Sequence, residues 1–352
     1  MSTQTVFSTS YQSPRSSHQP PMADGSAINS AAQAGEPPVD GDVAQPISPS
    51  SAPAPFDNLS TDIVLRSADH VDFHVWRVIL REASVFFANM FADAQSGPSD
   101  APLVPMTESA RTVEALLRLC YPVPDPEFAS IDDLKPVMVA ARKYQMDYIM
   151  QVLTRHLLVF AENTPLQAYA IALQFDLVDA ARTAARLTLR CDDPCPFTEE
   201  LDAVPATAYY HLLAYRRRCG EVACRAINSF TWLEDGSTLV WFRKSAGMSS
   251  CGCSMAEKPR YYVQTEAGVK TPVYATSWFQ KHLDCIRAAL LARPYGGAVL
   301  VDGLCNQIIE DAVSCNTCRW KIHSDTRKFM SGLAVEVDKR VSAIELDIVQ
   351  CK

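Results

Sequence analysis

Asp62-Ile63-Val64-Leu65-Arg66-Ser67-Ala68-Asp69-His70-Val71-Asp72-Phe73-His74-Val75 reads as a β-hairpin. Two short runs rich in β-branched, aliphatic and aromatic residues flank Ser67-Ala68-Asp69-His70, whose polar side chains suit a turn. A helical stretch follows, with apolar Val78, Ile79, Val85, Phe86, Met90 and Phe91. Ser84 stands where its side chain can cap a second helix. Residues 93–102 read as a loop. Leu103-Val104-Pro105-Met106 is a short strand, confined by its proline to an edge or a strand end.

Helices continue downstream. Ser109 can cap one that carries Val113, Leu116, Leu117 and Cys120, and the prolines of Tyr121-Pro122-Val123-Pro124-Asp125-Pro126 end it. Asp132 or Asp133 opens another, with Leu134, Val137, Met138, Ala141 and Tyr144 at helical spacing. Asp147 opens a third, with Ile149, Val152, Leu153, Leu157 and Phe160 on one face. Further helices are expected from Pro165, over Leu177–Leu189 and over Thr207–Ile227. The last part is mixed. Thr238-Leu239-Val240-Trp241-Phe242 is a strand candidate. Trp278, Phe279, Leu283, Ile286 and Leu290 mark one helix, and Val299 to Val313 another. The final helix is expected to run through Phe329, Leu333, Val337, Val341, Ile344 and Ile348 and to pack on the body. The stretch between Ser245 and Arg260 is loop-rich, so the apolar core of this last part is expected to be thin.

A chain of 352 residues suggests roughly two domains. Residues 1–56 are rich in Ser, Pro, Ala and Gln and nearly lack large apolar groups, so they are expected to be disordered. Ser13-Pro14 and Ser48-Pro49 offer phosphorylation sites there, although an inert solubilising tail is the simpler reading. The net charge of -8 repels phosphate backbones and disfavours direct nucleic-acid binding. Arg216-Arg217-Arg218, the one tight basic run, falls in a helical pattern and reads as a solvated face. No basic segment followed by an apolar run opens the sequence, and no stretch approaches the roughly 18 apolar residues of a membrane span. The cytoplasm or the nucleus is the expected compartment, with no membrane contact. The twelve cysteines are then expected to be reduced thiols or metal ligands.

The run from Asp62 to Phe91 resembles the opening of a BTB/POZ domain. The matching residues are Phe73-His74-Val75-Trp76-Arg77-Val78-Ile79-Leu80, then Ala83-Ser84-Val85-Phe86-Phe87-Ala88-Asn89-Met90-Phe91. Leu116-Leu117-Arg118-Leu119-Cys120-Tyr121 and Ala140-Ala141-Arg142-Lys143-Tyr144-Gln145-Met146 match later parts in the right order. The remainder looks like the BTB-domain proteins of mushroom-forming fungi. The resemblance implies an α+β fold: a BTB/POZ domain over 57–160, made of a small sheet with packed helices, then a mostly α-helical C-terminal region. That region divides into a helical extension over 161–228 and a cysteine-containing helical domain over 229–352. It also implies a protein–protein interaction module that homodimerises as a scaffold or adaptor. Trp76, Val78, Ile79, Phe86, Phe87 and Met90 are the expected dimer interface, being more apolar groups than one helical face needs; alternatively they complete the domain's own core. Two other roles are a substrate adaptor for a cullin ubiquitin ligase and a regulator of transcription that recruits corepressors. Cullin-recruiting members often carry a hydrophobic-any-acidic triplet just after the second helix, and Ala92-Asp93-Ala94-Gln95-Ser96-Gly97 does not fit it. Met106-Thr107-Glu108 fits but lies too late. Trp76 also stands where many members have histidine.

No nucleophile elbow, metalloprotease motif or Gly-rich phosphate loop occurs, so the chain is expected not to be an enzyme and to have no catalytic residues. Cys315-Asn316-Thr317-Cys318 has the spacing of a redox or metal motif, but it follows a helix where redox chemistry needs a strand. With Cys251-Gly252-Cys253 it could supply four thiolates to one structural zinc, although CxC is tighter than the usual spacing. Unligated reduced thiols are the competing reading. Cys285 and Cys305 are expected to pack in the core. His282 and His323 are candidate ligands that more often prove to be ordinary surface or core residues.

Overall fold

The computed structural model describes residues 48–93, 102–192, 196–233, 238–244, 251–258, 260–264 and 268–348. The expected tail therefore lies outside the described residues up to 47, as does most of the loop over 93–102. Residues 48–56 correct the expectation of disorder. Ser50–Ser51 forms β1, and Phe56 is fully buried between Phe73 and Tyr121, with ring centroids at 6.1 and 5.4 Å. A single aromatic side chain in a proline-rich stretch is enough to fix it, because it fills a core site that the sheet leaves open.

The hairpin is β2 (Ile63–Arg66) against β3 (Val71–Val75), antiparallel, with Leu65 opposite Phe73. Arg66 and Asp72 close its turn end with a two-pronged ion pair at 2.6 and 2.8 Å, and His70 takes the left-handed turn conformation at φ 61°. β4 (Leu103–Pro105) pairs in parallel with β2, and β1 in parallel with β3, giving the order β1-β3-β2-β4. Pro105 sits on an edge strand, where its missing N–H breaks no ladder.

Five helices, α1 (Arg77–Ala83), α2 (Val85–Asp93), α3 (Ala110–Cys120), α4 (Ile131–Lys143) and α5 (Asp147–Phe160), pack on one another and share one core with this sheet. Ser84 caps α2 by accepting from the Phe87 amide at 3.0 Å, and its hydroxyl donates to the Tyr144 carbonyl at 2.5 Å. Ser109 caps α3. Ser130, not Asp132 or Asp133, caps α4, and the two aspartates lie in its first turn, where the helix dipole favours them. α6 (Pro165–Gln174), α7 (Val178–Thr188) and α8 (Ala206–Arg225) follow.

Arg216 overturns the reading of the basic run. Along α8 it falls on the face of Leu212, Tyr215, Cys219 and Ala223 and is buried, while Arg217 and Arg218 face solvent. Its guanidinium donates to the carbonyls of Thr188, Cys191 and Ala292.

The last part carries a second sheet, β5 (Phe242–Arg243), β6 (Tyr261–Gln264) and β7 (Lys270–Ala275), in the order β5-β7-β6. Three helices, α9 (Ser277–Ala292), α10 (Asp302–Val313) and α11 (Ile322–Ser342), complete it. The strand expected over 238–242 is shorter and later than the sequence suggests, and α11 ends before Ile344 and Ile348. The core here is not thin. Phe230, Trp241, Phe242, Phe279 and Phe329 are all fully buried and meet ring to ring, Trp241 stacking on Phe279 at 4.5 Å. Gly296 is required where the chain passes α11: a Cβ there would meet the Ala334 carbonyl oxygen at 2.4 Å. One continuous core runs from Ala52 to Leu346.

Candidate functional site

Two places in the fold carry side chains that packing alone does not explain. The first is the outer face of α1 and α2. The Trp76 amide donates to the Tyr121 hydroxyl at 2.8 Å, fixing the start of α1. Beyond it Val78 and Val85 are each 54% exposed and Trp76 and Phe86 each 39%, while Ile79 and Met90 are half-buried. Phe87 is fully buried, its ring stacked on Tyr144 at 5.2 Å and on Phe91 at 5.9 Å. Neighbouring side chains on a helix point about 100° apart, so Phe86 and Phe87 cannot share a face. Phe87 therefore belongs to the core and leaves the expected interface set. The structure adds Val85 and Tyr148, the latter 66% exposed at the start of α5. With Val78, Ile79 and Leu119 they line a groove of about 670 Å³, whose edge bears the ion pair of Arg81 with Glu82 at 3.6 Å.

The second place lies in the C-terminal region. The sulfurs of Cys251, Cys253, Cys315 and Cys318 all lie within 4.8 Å of one another, and Cys253 and Cys318 are 3.8 Å apart. Cys251 and Cys253 sit on a segment stitched to the junction of β7 and α9: the Ala256 amide donates to Ala275 and the Ser277 amide to Ser254. Cys315 and Cys318 sit in the short connection between α10 and α11. The cluster thus draws together two segments that no strand pairing joins. Arg243 donates to the Cys251 sulfur at 3.4 Å. Burial, then the neighbouring sulfurs, push the Cys253 and Cys318 thiols up. Burial also disfavours ionisation of Cys315, but the amides of Cys318 and Thr317 outweigh it and hold that thiol below its ordinary value. Four soft sulfur donors at this spacing could hold a metal ion.

The other candidates do not join this cluster. Cys285 is exposed and so is not the core cysteine expected, whereas Cys305 is half-buried and packs against the core. His282 is buried and bonded to Asp311 at 2.9 Å, and His323 is exposed.

The family model for the BTB/POZ domain matches residues 55–160. Residues 55–160 are a BTB/POZ domain. No curated protein matches the chain. The BTB/POZ domain is a protein–protein interaction module, so the α1–α2 face belongs to a part of the chain that exists to bind protein. Among the described residues no helix is long and apolar enough to cross a membrane.

Within the BTB/POZ domain the Met106-Thr107-Glu108 triplet is consumed by the fold. Met106 is buried. Glu108 accepts from Lys143 at 2.8 Å and from the Tyr144 hydroxyl at 2.5 Å. Burial alone would raise the Glu108 carboxyl, but the hydrogen bonds from Lys143, Tyr144 and Thr107 outweigh it and hold it below the ordinary value of 4.5. Burial, then the bond to Glu108, pushes Tyr144 up to about 12. A lowered folded-state pKa means that Glu108 contributes stability above the unfolded value and loses it as pH falls through the folded one. Glu108→Ala is expected to cost about 1–3 kcal/mol at neutral pH, since it strips a buried hydroxyl of its partner. In urea melts the difference from wild type should shrink as pH drops below 4.5; a difference that stays constant down to acid pH contradicts the network.

Proposed function

We propose that the chain is a self-associating scaffold whose BTB/POZ domain docks a second copy through the α1–α2 face. The observation that carries this reading is the exposure of four large apolar side chains on or beside α1 and α2, Trp76, Val78, Val85 and Phe86, of which Val78 and Val85 line the groove with half-buried Ile79. Large apolar groups gathered on one face of a module built for binding mark a contact. A second copy suits the face because a twofold contact needs a self-complementary surface. Arg81 and Glu82 stand side by side at the groove edge and are both exposed, so each copy would offer the other an opposite charge. An interface of roughly 1,600 Å² would be ordinary for such a contact. A cullin or a corepressor is a different occupant of the same module. The internal use of Met106 and Glu108 favours neither as a docking motif.

Val78→Glu combined with Phe86→Glu tests this directly. Val78 is a surface group, and Phe86 is 39% exposed with one side of its ring on Phe87 and Tyr144, so survival of the fold is part of the readout; charge buried at the centre of an interface is costly. The double variant is expected to sediment at half the wild-type mass with an unchanged far-ultraviolet spectrum. An unchanged assembly would remove this face as the contact. In this scaffold the four-cysteine cluster is read as a structural zinc site with no part in catalysis.

A further inference from the structure

We propose that Cys251, Cys253, Cys315 and Cys318 bind one zinc ion as a closed tetrathiolate that latches the 251–258 segment, and through it the second sheet, to the turn between α10 and α11. This deepens the structural reading of that cluster and is independent of self-association, because all four ligands lie outside residues 55–160.

The geometry matches one ion. Tetrahedral bonds of about 2.3 Å place the sulfurs about 3.8 Å apart. Cys253 and Cys318 are already at 3.8 Å, and no pair exceeds 4.8 Å. Such spacing encloses a single ion; an iron–sulfur cluster would hold its sulfur pairs farther apart on separate irons. The four donors are all thiolates, which select zinc among divalent ions that take closed tetrahedral sites.

The surroundings fit a site of net negative charge. Four thiolates around Zn²⁺ leave a charge of about -2. The Arg243 guanidinium lies on Cys251, and the amides of Thr317 and Cys318 face Cys315. The Trp278 indole N–H is buried without a hydrogen bond and lies beside Cys253. Donors turned toward ligand sulfurs are what a metal–thiolate site uses to hold its ligands in place. Among the described residues no carboxylate or histidine joins the four sulfurs: Asp311 is taken by His282, and Asp325 accepts from the Val240 amide at 2.9 Å.

The position explains the need. Cys318 is fully buried against the Val240 carbonyl at 4.0 Å, and Trp278 packs edge-on to Trp241 at 6.3 Å. The ion would thus stand at the rim of the aromatic core and close it where β5 is only two residues long.

Elemental analysis of the purified full chain tests the assignment. Close to one zinc per chain is expected. Cys253→Ser with Cys318→Ser should lose most of the zinc, whereas Cys285→Ser, at an exposed cysteine outside the cluster, should keep it. If the double variant fails to fold, cobalt exchange into the wild-type chain supplies the second readout: the intense visible absorption of a tetrahedral cobalt–thiolate site is expected. Thiol titration should find four further reactive cysteines once a strong chelator is added. Iron in place of zinc, no stoichiometric metal, or full zinc retention by the folded double variant would overturn the proposal. Wild-type chain that assembles normally yet lacks metal would overturn the latch alone and leave the scaffold reading standing.

Discussion

Trp241→Ala is expected to destabilise the chain by about 3–5 kcal/mol, the usual cost of emptying a large aromatic site in a core. Trp241 is fully buried. Its ring lies flat on Phe279, 4.5 Å away at an interplanar angle of 9°, and meets Phe329 edge-on at 5.5 Å. Its carbonyl accepts from the Thr276 amide at 2.9 Å, so the backbone is pinned and cannot slide to fill the space. A cavity ringed by Phe242, Phe279, Phe329 and Trp278 would remain, since rigid rings collapse poorly. Urea denaturation followed by far-ultraviolet circular dichroism should show a lower midpoint at an unchanged slope. A loss under 1 kcal/mol would mean that the aromatic core is not the centre of the C-terminal region.

The second large effect is expected at Arg216. Its guanidinium gathers the carbonyls of Thr188, Cys191 and Ala292. Thr188 and Ala292 are the last residues of α7 and α9, so one buried cation meets the negative ends of two helix dipoles. Arg216→Ala removes charge-assisted hydrogen bonds to three carbonyls at a buried or part-buried site, each worth roughly 1.5–3 kcal/mol. A total loss on the order of 3–5 kcal/mol is expected. Lysine should restore little of it, because an ammonium cannot span acceptors that a planar fork reaches. Arg217→Ala, one residue on and exposed, should change stability by no more than about 0.5 kcal/mol. Equal effects at 216 and 217 would contradict the arrangement.

The BTB/POZ part was legible because each local signal agrees with the tertiary fold. The β-branched, aliphatic and aromatic runs at Ile63–Arg66 and Val71–Val75, the serines at 84 and 109, and Pro105 at an edge all mean in the structure what they mean in a peptide. Arg216 was misread because three charges in a row look alike in sequence, whereas the helix turns about 100° per residue and carries one of them inward. Phe86 and Phe87 differ for the same reason. β6 and β7 are short, and β7 contains Pro272, which argues against a central strand; it is tolerated because β5 pairs only with Tyr274 and Ala275. In the cysteine cluster the two thiol pairs were visible from spacing alone. What spacing cannot give is the distance between them, which the packing of α10 and α11 against the second sheet sets.

We propose that this chain pairs with itself through its BTB/POZ domain. Light scattering coupled to size exclusion at tens-of-micromolar protein measures it most directly. A particle of twice the chain mass of 38.8 kDa is expected. A mass equal to one chain at that concentration contradicts it.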